Sequence, residues 1–338
     1  MNSSRRKDAE RVLAERLWEV NRGLKLPAEI TFKAFAEDQW QTYVKQNLKS
    51  STQASHNSNL NQHLLPAFGN LRLGEISALQ IMNLMKKKSA DGLKPKSLLN
   101  LYVLLQKMLN LAVALELLES NPIRRVPKPK VQRREKPSLT PEQVRDVVAK
   151  VPENLRALFV LLYLTGLRIG EALALKWSDV DFGSSKLYIR RSVWRGEEQT
   201  PKSRTSIRAK HLLPGLMQAL QRHRTLTVYT EPDDYVFTNG AGRPLDPDDL
   251  RKRVLYPAMD EAKLERKTAR DYGFHLFRHS AGSQMHEATG DLKQTQSFLG
   301  HSGIGITGDV YVHLQPDSEI ESLRRLEEAF FGDELCSN

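Results

Sequence analysis

The stretch NPIRRVPKPKVQRREKPSLT, residues 121–140, divides the chain. It holds prolines at 122, 127, 129 and 137. Each lacks an amide donor and crowds the preceding turn, so no helix is predicted there. Seven basic residues (Arg124, Arg125, Lys128, Lys130, Arg133, Arg134 and Lys136) stand against one acid, Glu135. Self-repulsion adds to the extension, and residues 121–138 read as a basic linker. A solvated tether is the plain reading. The fuller one has Arg124, Arg125, Lys128, Lys130, Arg133 and Arg134 track phosphates, since each side chain on an extended strand reaches a backbone charge.

Upstream of that divide every pattern is helical. Val12, Leu13, Leu17 and Val20 predict one amphipathic helix over 4–23, within an N-terminal segment 1–28. Residues 29–120 predict a small helical domain. One helix runs through Phe32, Phe35, Trp40 and Tyr43, a second from Ser55 to about Leu65 before Pro66, and a third spans about 77–88. The fourth, Lys96 to Leu118, is densely apolar and stops at Asn121-Pro122.

Downstream, Thr140-Pro141-Glu142-Gln143 supplies an N-cap, a proline at the first helical position and a capping-box Gln. Helices follow to Trp177. KLYIRRSV (186–193) and IRAKHLLP (207–214) then read as two strands around a turn-rich segment. Helical patterns resume at about 214–226, 247–264, 275–288 and 291–300. Residues 139–316 form this second domain, and 317–338 an acidic tail helix. The fold class is mainly α, with a small antiparallel β-sheet in the second domain.

At 338 residues the chain suits two domains. The longest uncharged apolar run, Ala157 to Leu167, is eleven residues against about 20 for a bilayer span. A membrane protein is not expected, and MNSSRRKDAER is unlike a secretory signal. Cys336 is the only cysteine, which excludes disulfide frameworks and thiolate metal sites. The formal charge is +11, yet residues 301–338 hold two basic and eight acidic residues. A basic body implies a polyanion partner, and the acidic tail a different one.

Three constellations carry chemistry. His275 and His279 share a helix face, but no HExxH or matching carboxylate makes them a metal site. His275 and Arg278, at i and i+3, set a titratable ring beside a guanidinium fork, which suits a phosphoryl group; a solvated polar pair is the plain reading. In LLYLTGLRIGEALALKW, residues 161–177, Arg168 lies between Gly166 and Gly170 with Glu171 three residues on. Either the two form a structural pair under a turn, or Glu171 orients Arg168 toward an anion. Tyr311 follows a Gly-rich segment, ten residues after His301.

TGLRIGEALALKW, HLFRH and LGHSGIGITGDVYVHL together resemble the motifs of the tyrosine site-specific recombinases, the phage integrase family. The likeness extends over roughly 29–331. It implies a helical SAM-like core-binding domain, an α/β catalytic domain and a clamp around double-stranded DNA. By the family's motifs Arg168, His275, Arg278, His301 and Tyr311 fall on catalytic positions. The family's lysine, in its hairpin turn, falls on Lys202, with Lys210 and Arg204 close by.

The implied chemistry is nucleophilic attack by Tyr311 on a phosphodiester, giving a 3′-phosphotyrosyl link. Arg168 and Arg278 would hold the non-bridging oxygens, joined by His301. His275 would accept the phenolic proton, and Lys202 would protonate the leaving 5′-oxygen. No metal, cofactor or ATP is implied. Four protomers on paired sites are, joined through the tail, although a tail packed on its own domain is the alternative. Accessory DNA-bending or directionality proteins and a cytoplasmic, nucleoid-associated location follow as expectations. Residues 1–28 resemble the end of an arm-binding domain whose remainder the sequence does not show. A Xer-like dimer resolvase is the alternative within the family. A non-catalytic DNA-binding relative and a type IB-like topoisomerase stand further off.

Overall fold

Thr31 opens the first helix: its hydroxyl accepts from the Ala34 amide at 3.2 Å, satisfying a donor that a helix leaves bare at its start. The computed structural model describes residues 30–132, 137–199, 208–264 and 273–300. They belong to two compact units, divided after position 133. The helices expected at 4–23 and in the 317–338 tail lie outside the described residues.

In the first unit Phe32–Phe35, Ala36–Trp40 and Gln41–Asn47 run on as α1. Ser50–Asn59, Leu60–Leu64 and Leu65–Phe68 form α2, Ala78–Ala90 α3 and Pro95–Ala114 α4. The sequence predicted that α2 would end before Pro66, but it continues to Phe68. A wider π turn over Leu60–Leu64 shifts the ladder, with the Leu65 amide donating to the Leu60 carbonyl. Pro66 then enters in the first turn of the next segment, where its missing donor matters least. Ser77 and Gln80 exchange capping bonds to start α3, at 3.3 and 2.8 Å.

By length and composition α4 is apolar enough to cross a membrane; the sequence reading passed over it because Lys96 and Lys107 interrupt the run. Its Leu101, Leu105, Met108 and Leu109 instead fill the core with Phe32, Phe35 and Trp40. The linker starts later than its prolines predict. Pro122–Arg125 makes a single 3-10 turn, and Ile123 and Val126 are buried in this same core. The Tyr102 hydroxyl donates to the carbonyls of both, at 3.2 and 3.0 Å. Two apolar anchors and a buried donor thus hold what proline alone would leave extended. Arg124, Arg125, Lys128 and Lys130 remain exposed.

In the second unit Pro141–Lys150 is α5, with the expected Thr140–Gln143 box, and Glu153–Thr165 is α6. Ile169–Ala172 forms the short turn α7. Val180–Asp181 (β1), Lys186–Ile189 (β2) and Arg208–His211 (β5) make an antiparallel sheet in the order β1-β2-β5. Ser192–Trp194 (β3) and Glu197–Gln199 (β4) pair as a separate hairpin. The sequence predicted one strand over 186–193, but it breaks at Arg190 and Arg191. Both guanidiniums turn to the buried Asp179 carboxylate, at 2.9 and 2.7 Å, so the pleat cannot continue.

Pro214–Leu226 is α8. Pro247–Leu250, Arg251–Leu255 and Tyr256–Glu261 run on as α9. His275–Thr289 is α10 and Leu292–Leu299 is α11. The core gathers Leu158, Phe159, Leu162, Phe237 and Phe277. Phe159 meets Phe277 edge-on, ring centres 5.5 Å apart, and Phe274 at 5.9 Å. These rings pin the start of α10 to α6 and so set where His275 and Arg278 stand.

Candidate active site

Helix α6 ends on Gly166, which adopts a left-handed backbone (φ +62°) that few other residues tolerate. A β-carbon there would stand 3.1 Å from both Phe298 and Leu299 of α11. Gly170 serves a second close approach: a β-carbon would lie 2.6 Å from the Val193 carbonyl of β3. The two glycines around Arg168 therefore let α11 and β3 pack against the loop that carries it.

Arg168 caps α7. Its amide donates to Glu171 Oε2 at 3.0 Å, and its guanidinium to Oε1 at 3.1 Å. Glu171 is buried and also accepts two bonds from Arg208 of β5, at 2.9 and 3.3 Å. Burial alone pushes the Glu171 carboxyl up; the Arg208 hydrogen bonds and charge, helped by Arg168, outweigh it and leave the pKa below its ordinary value. Arg168 keeps 43% of its side chain exposed. It is a cation fixed at one end and open at the other.

Arg278 is 5% exposed. Its guanidinium donates to the Gly166 carbonyl and, at 2.6 Å, to the Leu299 carbonyl. These lie two residues before Arg168 and two before His301. One side chain thus gathers the three motif segments. His275 sits exposed at the first position of α10, one turn before Arg278.

The sequence reading missed Arg208 and left Lys210 as a neighbour of the hairpin turn. Both enter the site from β5. Lys210 Nζ donates to the Phe298 carbonyl and lies 4.5 Å from the centre of the Phe298 ring. Burial, with the nearby charges of Arg208 and Arg278, lowers its pKa to about 8. The signal for both was strand alternation, which sets Arg208 and Lys210 on one face.

Lys202, His301 and Tyr311 lie outside the described residues, as do Arg133 and Arg134 of the linker. Among the described residues, no three His, Cys, Asp or Glu side chains come together as a metal-ligand set. What the described arrangement offers is a cluster of guanidiniums around one buried carboxylate, suited to holding an anion with dispersed charge.

Comparison with known proteins gives the same outline. Residues 137–318 match the phage integrase family, and 31–89 match the phage integrase N-terminal SAM-like domain. A XerC-like tyrosine recombinase of Caldanaerobacter subterraneus is 28% identical over 292 residues, covering 77% of this chain and 73% of that protein. The ICEBs1 integrase of Bacillus subtilis is 26% identical over 284 residues, 80% of this chain and 75% of the relative. Among solved structures, the Tn1549 transposon integrase in complex with a circular intermediate DNA superposes with a TM-score of 0.74 at 20% identity, covering 88% of this chain and 99% of that one. A lambda integrase dimer bound to a COC′ core site gives 0.67 at 16% identity, covering 86% and 80%.

Proposed function

The chain belongs to the phage integrase family, and from that premise we propose how this tyrosine recombinase cuts and rejoins double-stranded DNA. Tyr311 attacks a backbone phosphorus. The phosphorus–oxygen bond to the 5′-oxygen breaks, and the 3′-phosphate stays on the enzyme as a tyrosyl ester. A phenol with pKa near 10 is only about 0.1% ionised at neutral pH, so it needs a base and a charged cradle. His275 takes the phenolic proton and Lys202 gives one to the departing oxygen. Arg168 and Arg278 offset charge on the non-bridging oxygens as the five-coordinate transition state forms, with a hydrogen bond from His301. The positive charge is the protein's own, so the scheme uses neither metal nor ATP. The ester conserves the bond energy for the second strand.

The observation that carries this reading is the meeting of three motif segments on the Arg278 guanidinium, beside an Arg168 that Glu171 holds at one end. Exposed Arg124, Arg125, Lys128 and Lys130 support phosphate contacts along the linker. The element served is a phage or other mobile DNA, integrated or excised in the cytoplasm at the nucleoid. Four protomers act on paired sites through the acidic 317–338 tails, with accessory DNA-bending or directionality proteins. The XerC-like relative favours dimer resolution as the second reading.

The test uses a nicked duplex that traps cleaved product, carrying the site recovered by sequencing covalently bound DNA. Wild-type protein forms an SDS-resistant adduct on it. Tyr311→Phe shifts the duplex in a gel but forms none; an adduct at wild-type level in that variant refutes the assignment. A site shared with chromosomal dimer junctions rather than an element's ends decides for the second reading.

A further inference from the structure

Strand β5 turns two cations inward. Across the β2–β5 ladder Leu187 pairs with Lys210 and Ile189 with Arg208. Residues directly opposite in an antiparallel pair share a face, and Leu187 and Ile189 are buried in the core. Arg208 and Lys210 therefore occupy inward positions where a sheet ordinarily places Val or Ile. Lys210 reaches past the core to the end of α11, while Arg208 beside it bonds Glu171 of α7.

That end is a concentration of partial negative charge, because the last carbonyls of a helix lack partners within it. The Leu299 carbonyl takes Arg278 at 2.6 Å, and the Phe298 carbonyl takes Lys210. The Phe298 ring stacks under the same ammonium at 4.5 Å. At Gly300, in a left-handed turn (φ +65°), a β-carbon would stand 2.9 Å from Arg208 Nε. Two cations from two elements thus hold two consecutive residues, Arg208 crowds the third, and the chain continues from them directly to His301.

We propose that Lys210 is a positioning residue of the cleavage site: it fixes the end of α11 to β5 and so sets the segment that carries His301. The inference rests on the reading of this site as a DNA-cleaving one. A purely structural strand would hold an apolar residue here, since burying an ammonium is costly. The groups around Lys210 leave that cost standing. Among the charged groups of the described residues, Arg208 on its own strand and Arg278 from α10 repel it, and Glu171 from α7 attracts it less strongly. With a pKa of about 8, the ammonium grips the carbonyl in neutral solution and weakens to a neutral amine in alkali.

The experiment compares full-length wild type, Lys210→Met and Lys210→Arg on the nicked trapping duplex, under single-turnover conditions. Lys210→Met is expected to slow adduct formation about 10–100-fold, the scale of a small misplacement in a reacting site. Duplex affinity should stay within about twofold, and the thermal midpoint should hold or rise as an apolar group replaces a buried charge. The rate ratio of wild type to Lys210→Met should shrink as pH rises through about 8. Lys210→Arg, which keeps a donor and a charge, should recover most of the rate.

Wild-type cleavage by Lys210→Met overturns the inference. So does a loss of rate that comes with a lower thermal midpoint, which marks a structural role. Rescue of Lys210→Met by a bridging 5′-sulfur in the substrate also overturns it, because the lysine would then be the proton donor to the leaving group. If wild type itself forms no adduct, the functional reading fails and this one with it.

Discussion

The Glu171 carboxylate ties two guanidiniums that the chain separates by forty residues' worth of loop and sheet, and its linkage to pH follows from that. Its pKa is lower in the folded protein than the ordinary 4.5. The stabilisation is therefore complete above about pH 4.5 and is lost as pH falls through the folded value. Glu171→Gln should lower unfolding free energy at neutral pH by about 3 kcal/mol, the scale for breaking a buried pair. The gap to wild type should close as the solution is acidified, as urea titrations at pH 7 and pH 3 will show. Half of this arrangement was legible in the sequence, since Arg168 and Glu171 sit three residues apart on a helical turn. Arg208 was not: it reaches Glu171 across 37 residues, by a strand register that spacing alone does not reveal.

Elements were legible where caps mark them and obscure where a side chain overrides the backbone pattern. Thr140-Pro141 and Gln143 place the start of α5 to the residue. Nothing local shows that Arg190 and Arg191 will leave their strand for Asp179, or that Ile123 and Val126 will pull the first proline turn into a core. Gly300 belongs to the same scale, because it ends α11 in a conformation a side chain strains. Gly300→Ala should destabilise the protein by about 1–2 kcal/mol from the left-handed backbone. It should also press a methyl into Arg208, and slow adduct formation more than it weakens DNA binding. Equal losses in both would count against the α11 grip.

For the whole molecule, charge was the most legible property and geometry between its parts the least. A basic body with an acidic end pointed to a polyanion before any motif was considered. Replacing Arg124, Arg125, Lys128 and Lys130 with Gln should flatten the plot of log affinity against log salt by up to about 3–4 units, near 0.9 for each lost phosphate contact. An unchanged slope would leave the linker a spacer.

The Arg278 guanidinium adds a consequence in time. Its two carbonyl partners lie 112 residues before it and 21 after it. Contacts so distant in sequence form late in folding, after the local helices. On the ribosome the Arg168 loop emerges long before the arginine that anchors it, and that arginine emerges before α11. A chain that stops short of α11 therefore has the Arg168 loop and Arg278 but lacks the Leu299 carbonyl that completes the anchor. The three motif segments are thus aligned only when α11 docks, so order among them is completed near the end of synthesis.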